Sequence, residues 1–386
     1  MRSNSKQTLL LASVTICATL WANTAPADPL SMPAMSGPLN TDANPISLDA
    51  GPLGNVYVSG AITGVAFWQS NPVPGDHEAV DDLNNAQLFL QKTDGWLQFF
   101  VQAGTYSLPS LGSSYLRSDR APNDLYGVVP QAFVKIAPAG NFSIEIGKLP
   151  TLVGNEYTFT FENMNIERGL LWNQEPAVSR GIQVNYTAGP VSLALSWNDG
   201  FYSDQFNWVS ASLAYAVTAQ DTFTVVGGSN LGRTAHADTA TPLFQNNGQI
   251  YDLIYAHTSG SWTISPYIQY SHVPADAGLG ISHSASTYAV AILANYALTN
   301  NWKIGGRMEY IQATGSLSSG TPNLLYGPGS RAWSLTITPT YQNGIFFARA
   351  DAAYVDIGSA TPGTAFGPSF DKTAQVRFLL EAGVLF

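Results

Sequence analysis

The sequence has almost no cysteine. Cys17 is the single one, so the chain beyond it has no disulfide framework, no thiolate metal site and no cysteine nucleophile. Charge is scarce as well: Asp, Glu, Lys and Arg make up 11% of residues, against about 25% in an ordinary soluble domain. The rarer sign is positive, with 16 Lys and Arg against 26 Asp and Glu, which disfavours nucleic acid as a partner. Past the first 27 residues no segment reaches the roughly 18 consecutive apolar residues that a membrane-spanning helix needs. Histidine is sparse too (His77, His236, His257, His272 and His283), and none has metal-ligand spacing, so neither a metal nor a cofactor is expected. Asp76-His77-Glu78 and Ser282-His283-Ser284 fall in different connections. Adjacent side chains point apart and do not build a catalytic triad, so the reading is not an enzyme.

What is present begins with a leader. Arg2 and Lys6 precede an apolar core over 8–20, and Ala25-Pro26-Ala27 supplies small residues for cleavage after Ala27. This is the pattern of a secretory signal peptide over 1–27. Cys17 lies inside that core, away from any mature start, so a lipoprotein anchor is not expected. Without Arg2 and Lys6 the charge is 14 − 26 = −12. Residues 28–54 hold five prolines and no periodicity, which predicts a flexible periplasmic lead-in rather than a plug, since 27 residues are too few to fill a sixteen-strand lumen.

From Asn55 the hydrophobic period is two. Sixteen strands follow: 55–68, 83–92, 95–104, 128–137, 141–148, 178–187, 190–198, 208–217, 222–229, 249–257, 261–272, 285–298, 302–313, 331–342, 345–355 and 373–386. Most have the nine to eleven residues a tilted strand needs to cross the hydrocarbon layer. Alternation by itself also suits a soluble sandwich, and three features decide against one.

Connections alternate strictly, long then short. The short ones carry turn residues such as Asp94-Gly95, Gly189-Pro190, Ser259-Gly260 and Asn343-Gly344. That sidedness is expected of a transmembrane antiparallel up-and-down β-barrel, with short periplasmic turns and long extracellular loops. Seven tryptophans fall at strand ends: Trp96, Trp262 and Trp302 on the short-turn side, and Trp68, Trp197, Trp208 and Trp333 on the other. An indole has an apolar body and one N–H, so it rests at a headgroup boundary, and these seven predict two aromatic girdles. Third, Val376, Phe378, Leu380, Ala382, Val384 and Phe386 form an apolar stripe that ends on an aromatic. A lipid-facing final strand, closing on the first and showing Phe386 to the barrel insertion machinery as an assembly signal, accounts for it. The expected site is the bacterial outer membrane of a Gram-negative cell.

The opposite parity is polar: Gln87, Gln91, Gln98, Gln102, Gln131, Lys135, Glu145, Asp252, Gln269, Arg307, Glu309, Arg349, Asp351, Gln375, Arg377 and Glu381. So many charges in a dry interior would cost several kcal/mol each unless paired. Barrels of about sixteen strands leave an aqueous channel, so a water-filled pore for small hydrophilic solutes is expected. The longest connection, 149–177, holds Glu156, Glu162, Glu167 and Glu175 against Arg168, with Tyr157, Phe159 and Phe161 at period two. As the third long loop it resembles the inward-folding loop of sixteen-strand porins, which implies a constriction with its carboxylates facing wall bases Lys135, Arg180, Arg307, Arg349 and Arg377 across the eyelet. The alternative is a solvated surface loop that its aromatics anchor to the rim.

The run FSIEIGKLPTLVGNEYTF, followed by NMNIERGLLWNQEPAVSRGIQVNY, resembles the β-barrel porin-2 (OmpL-like) family. The pieces that carry the resemblance are Gly147-Lys148, Gly154, Glu156, Arg168-Gly169-Leu170-Leu171-Trp172 and Glu175-Pro176. It implies a passive porin over 55–386, embedded in outer-membrane lipid, and sixteen-strand porins suggest a homotrimer. Gly60, Ala61, Gly64 and Ala66 offer a small-residue surface for that contact. Two other readings remain open, a carbohydrate-selective porin and an adhesin or binding barrel whose long loops hold a partner.

Overall fold

The computed structural model describes residues 32–73 and 75–386. The leader read over 1–27, with Cys17, lies outside the described residues, as does the start of the lead-in. Seventeen strands form one sheet. The first, β1 (Ile46–Asp49), is short. The other sixteen are β2 (Asn55–Gln69), β3 (Ala79–Lys92), β4 (Leu97–Tyr106), β5 (Gln131–Ala139), β6 (Phe142–Pro150), β7 (Val178–Ala188), β8 (Val191–Asn198) and β9 (Trp208–Ala216), then β10 (Asp221–Asn230), β11 (Gln249–Ser259), β12 (Trp262–Val273), β13 (Ala285–Ala297), β14 (Trp302–Ala313), β15 (Arg331–Asn343), β16 (Phe346–Gly358) and β17 (Ala374–Leu385).

From β2 onward each strand pairs antiparallel with the next, and β17 pairs with β2, from Arg377↔Gln69 to Leu385↔Ala61. The sheet is therefore a closed sixteen-stranded barrel. Closure leaves no free edge, which is the condition for placing a sheet in hydrocarbon, where no water can satisfy exposed N–H and C=O groups. Every strand read from the sequence is present to within a few residues. The period of two is robust because a slip by one residue would exchange the lipid-facing and water-facing sets.

The seam is completed by the last residue. The Phe386 amide donates to the Gly60 carbonyl at 3.0 Å and the Gly60 amide returns a bond at 2.7 Å. A Cβ on Gly60 would lie 2.6 Å from the Phe386 ring and 2.7 Å from the Gln87 carbonyl. Glycine at 60 thus makes room for the closing aromatic, and any side chain there would push the ring out of the seam. This corrects the small-residue surface read from Gly60, Ala61, Gly64 and Ala66. Gly60 is filled by Phe386 and Ala61 points inward, fully buried, while Gly64 and Ala66 face outward.

The outer surface is an apolar band that includes Leu195, Val225, Ile268, Ile292, Met308, Ile337, Phe378 and Leu380, all exposed. Aromatic pairs flank it at the short-turn end (Trp262–Tyr296, 4.5 Å; Trp302–Tyr341, 5.0 Å) and at the long-loop end (Trp333–Tyr354, 5.2 Å; Trp68–Phe378, 5.8 Å). Of the seven tryptophans expected in these girdles, Trp68, Trp197, Trp262, Trp302 and Trp333 are on the outward face, and Trp96 is exposed in the short turn before β4. Trp208 is the exception. It is fully buried, packs edge-on to Phe201 at 5.6 Å and donates Nε1–H to Ser210 Oγ at 3.0 Å. Its parity matches Ser210, not outward Leu213 and Tyr215, and that pattern already placed it inside.

The flexible lead-in expected over 28–54 does not describe residues 32–49. Strand β1 pairs with the start of β2, from Ile46↔Val58 to Asp49↔Asn55, continuing the β17 edge of the ladder. Upstream, Met35 and Leu39 are buried. Proline content signalled the missing periodicity correctly, but it carried no information about contacts with the barrel interior.

Candidate functional site

Residues 151–177, between β6 and β7, lie inside the barrel. One flank of this segment is aromatic. Phe159 and Phe161 stack on each other at 6.1 Å, Phe161 meets Phe89 of β3 at 5.8 Å, and Phe159 meets Tyr106 of β4 edge-on at 5.3 Å. All four rings are buried. Phe89 and Phe100 sit on the inward parity among glutamines, so they are lumen-wall residues that form an apolar seat for the loop.

The other flank is a ladder of charges. Arg307 of β14 bonds Glu156 at 2.6 Å, the Glu167 carbonyl at 2.7 Å and its own neighbour Glu309 at 3.1 Å. Glu309 accepts the amides of Leu170 and Leu171 at 3.0 and 3.2 Å. A Cβ on Gly169 would fall 2.0 Å from that carboxylate, so glycine is what allows the backbone to approach. Asp351 of β16 accepts the amides of Ile166 and Glu167 at 2.8 and 2.9 Å. Arg377 of β17 bonds Glu167 at 2.9 Å. Arg349 pairs with Glu381 at 2.7 Å across the β16–β17 ladder and donates to the Asn163 carbonyl at 3.0 Å. Glu381 in turn accepts from Thr160 at 2.7 Å and Asn84 at 2.6 Å. Near its two ends the loop is tied to β11 and β12, by Gly154 N–H to Asp252 at 2.9 Å and Gln269 to Glu175 at 2.7 Å. Wall carboxylates thus receive loop amides, and wall guanidiniums donate to loop carbonyls and glutamates.

The family profile described as "Putative beta-barrel porin-2, OmpL-like" matches residues 55–386. The chain belongs to this family. It is an outer-membrane porin, and its short turns mark the periplasmic end.

Solved structures share the fold. They include OmpT expressed in the outer membrane of Vibrio cholerae (TM-score 0.58, 12% identity, 89% of this chain and 100% of that one). Others are the outer-membrane channel DcaP of Acinetobacter baumannii (TM-score 0.56, 12% identity, 86% and 97%) and Salmonella typhi OmpF in complex with daunomycin (TM-score 0.55, 13% identity, 88% and 100%). No curated protein matches the sequence of this porin.

The sequence-derived site set divides. Glu156, Glu167, Arg307 and Arg377 are brought together as direct ion pairs, and Arg349 joins them through loop carbonyls. Glu162 meets no wall base; it accepts the Phe159 amide at 2.8 Å within its own turn. The Arg168 side chain also stays within the loop, donating to the Thr158 carbonyl at 2.8 Å and lying over the Trp172 ring at 4.9 Å, while its backbone bonds Pro109 and Leu111 of the connection between β4 and β5. Lys135 stands opposite Glu145 in the β5–β6 register. Arg180 is held by Asp199 at 2.7 Å and Asp204 at 3.0 Å, with Tyr202 beneath it at 4.0 Å. The expected field between loop acids and wall bases across open water is therefore not the arrangement found, because the opposite charges touch. Glu309 and Asp351 were legible as inward-facing residues, but their role as acceptors for loop amides was not, since backbone partners leave no trace in side-chain identity.

Burial controls the loop acids. It raises Glu156 against the pull of Arg307, and raises Glu175 further with the help of the Asp252 carboxylate. Glu162 is pushed up to about 8, the Phe159 amide pulling the other way. Arg168 is lowered to about 10 by the same loss of water and stays charged. A raised folded-state value means that Glu162 favours the docked loop below about 4.5, its ordinary value, and that this contribution is lost as pH rises through about 8. The porin's conductance is therefore expected to become noisier or larger between about pH 7 and 9. Glu162→Gln should flatten that dependence, and an unchanged slope in the variant would assign the titration elsewhere.

Proposed function

We propose that this porin passes small hydrophilic solutes by passive diffusion, with residues 151–177 as its constriction. The observation that supports this is the seating of one loop on facing walls, by aromatic rings on β3–β4 and by hydrogen bonds on β11–β12, with the charged contacts to β14–β17 on the arc between them, so that it crosses the lumen. The arc from β8 to β10, where we place the solute path, carries Ser192, Ser196, Ser210, Ser212 and Thr224 on its inner parity, small uncharged side chains of which all but Ser212 are buried. Beside it Glu145 faces Lys135, and Lys148 donates to the Tyr126 and Val129 carbonyls at 3.1 and 2.9 Å. With the wall charges of β14–β17 paired to the loop, this path is close to electrically neutral, which favours uncharged solutes and weak ion selectivity.

The same reading includes export by the leader over 1–27, delivery to the insertion machinery through Phe386, no enzymatic activity and a homotrimer packed through the outward small residues Gly64 and Ala66. Planar-bilayer reconstitution tests it directly. Stepwise conductance is expected, together with a reversal potential near zero across a salt gradient. An inserted but silent barrel would instead favour an adhesin.

A further inference from the structure

The segment 32–40 (MPAMSGPLN) crosses the periplasmic mouth beneath the loop. At one side the Met32 carbonyl accepts from Gln91 at the end of β3 (2.9 Å). In the middle, the Ser36 amide and hydroxyl both reach the Glu162 carbonyl, at 2.8 and 3.0 Å. On the far side the Pro38 carbonyl accepts from Lys303 Nζ of β14 at 2.6 Å. Asn40 then exchanges two bonds with Gln342 of β15, N–H to Oε1 at 2.9 Å and Nε2–H to its carbonyl at 2.8 Å. Between these anchors Met35 and Leu39 are buried, and a Cβ on Gly37 would lie 3.8 Å from the Met164 side chain and 3.9 Å from that of Asn295.

We propose that residues 32–40 are a tethered plug, and that the mouth beneath the loop is a seat for an extended, uncharged peptide recognised through its backbone. Three features support a seat rather than a permanent wall. First, wall side chains read the segment mainly through its backbone carbonyls and amides. Second, residues 32–45 add no strand to the sheet, so their departure breaks no ladder. Third, β1 ties the segment to β2 just downstream, which keeps a released plug at high local concentration. The anchors include the loop's own Glu162 carbonyl, so the plug and the constriction are coupled: loosening the loop removes the middle anchor.

This inference rests on the porin reading, and a single set of bilayer recordings separates the two. Three proteins are compared as full signal-cleaved chains apart from the stated change: wild type, a deletion of 32–40, and the double substitution Lys303→Met with Gln342→Ala. The deletion is expected to raise unitary conductance or open time at least about twofold, and the double substitution to visit the same open level intermittently. A synthetic peptide of sequence MPAMSGPLN should block the deleted protein from the periplasmic face and not from the other. If all three conduct alike and the peptide has no effect, the segment is a structural strap and the plug is overturned. Should the deletion fail to assemble, the double substitution decides by the same criterion. If all three insert and stay silent, the porin reading itself fails and the plug with it.

Discussion

Deletion of residues 156–167 is expected to raise unitary conductance severalfold, about two- to fivefold for a barrel of this strand number whose lumen is crossed by one segment. The cut ends are close in space, since the Gly169 amide donates to the Glu156 carboxylate at 2.8 Å, so the shortened loop can close without opening β6 or β7. The deletion removes the Phe159 and Phe161 rings from Phe89 and Tyr106, and it exposes Arg349, Asp351, Arg377 and Glu381. Arg349 and Glu381 keep each other as partners, but Asp351 and Arg377 lose their loop partners, which in a dry core would be strongly destabilising. Here water fills the vacated space, so the barrel should still migrate as a folded species in an unheated gel. Unchanged conductance would place the segment outside the ion path.

The second large effect centres on Arg307, which has no exposed surface at its side chain and binds Glu156, Glu309 and the Glu167 carbonyl together. Arg307→Met leaves two glutamates facing each other without their counter-ion. Breaking a buried pair by removing one partner costs about 3–5 kcal/mol. Because loop docking can relax while the barrel stays closed, the cost should fall on the loop. Amide exchange at Leu170 and Leu171, whose N–H groups bond Glu309, should accelerate about 10²- to 10⁴-fold, the factor that such a free energy represents. Adding Glu156→Gln to the same chain should recover part of the protection, because one of the stranded charges is gone. Exchange at wild-type rates would mean that the aromatic flank alone holds the loop.

These two effects act on different flanks of one device. The aromatic side gives non-directional burial, and the charged side sets register, because amides at 166, 167, 170 and 171 must meet Asp351 and Glu309 at fixed spacing. The pH response expected at Glu162 and the anchor that Glu162 gives to Ser36 sit at the loop's lowest point, between the two flanks. A change in loop docking is therefore felt at the periplasmic mouth.

Much of this architecture could be read from residue order. Leu379 and Leu380 show why. A strand in a barrel wall has only two faces, so Leu380 with Phe378 faces lipid while Leu379 with Arg377 and Glu381 faces in, whatever the rest of the chain does. The alternation of Asp94-Gly95 or Asn343-Gly344 turns with long connections gave the sidedness on similarly local grounds. Trp208 shows the limit of a positional argument: a tryptophan at a strand end was assigned to the girdle, although its parity with Ser210 places it inside. The acids and bases of the site were visible, but their partners were not. The Glu162 carboxylate and the Arg168 guanidinium turn to partners within the loop, Lys135 and Arg180 belong to another arc, and Asp351 and Glu309 bind backbone amides that every sequence possesses.

The sequence by itself determined the strand period, the two faces, the closed antiparallel sheet and the aqueous character of its interior, because each depends on alternation over a few neighbouring residues. Only the tertiary structure decided that residues 151–177 seat against β3–β4, β11–β12 and β14–β17 and that 32–40 lie across the mouth below them. Those placements rest on contacts between residues hundreds of positions apart, such as Thr160 with Glu381 and Asn40 with Gln342, and no local periodicity encodes which distant group a loop amide or carbonyl will find.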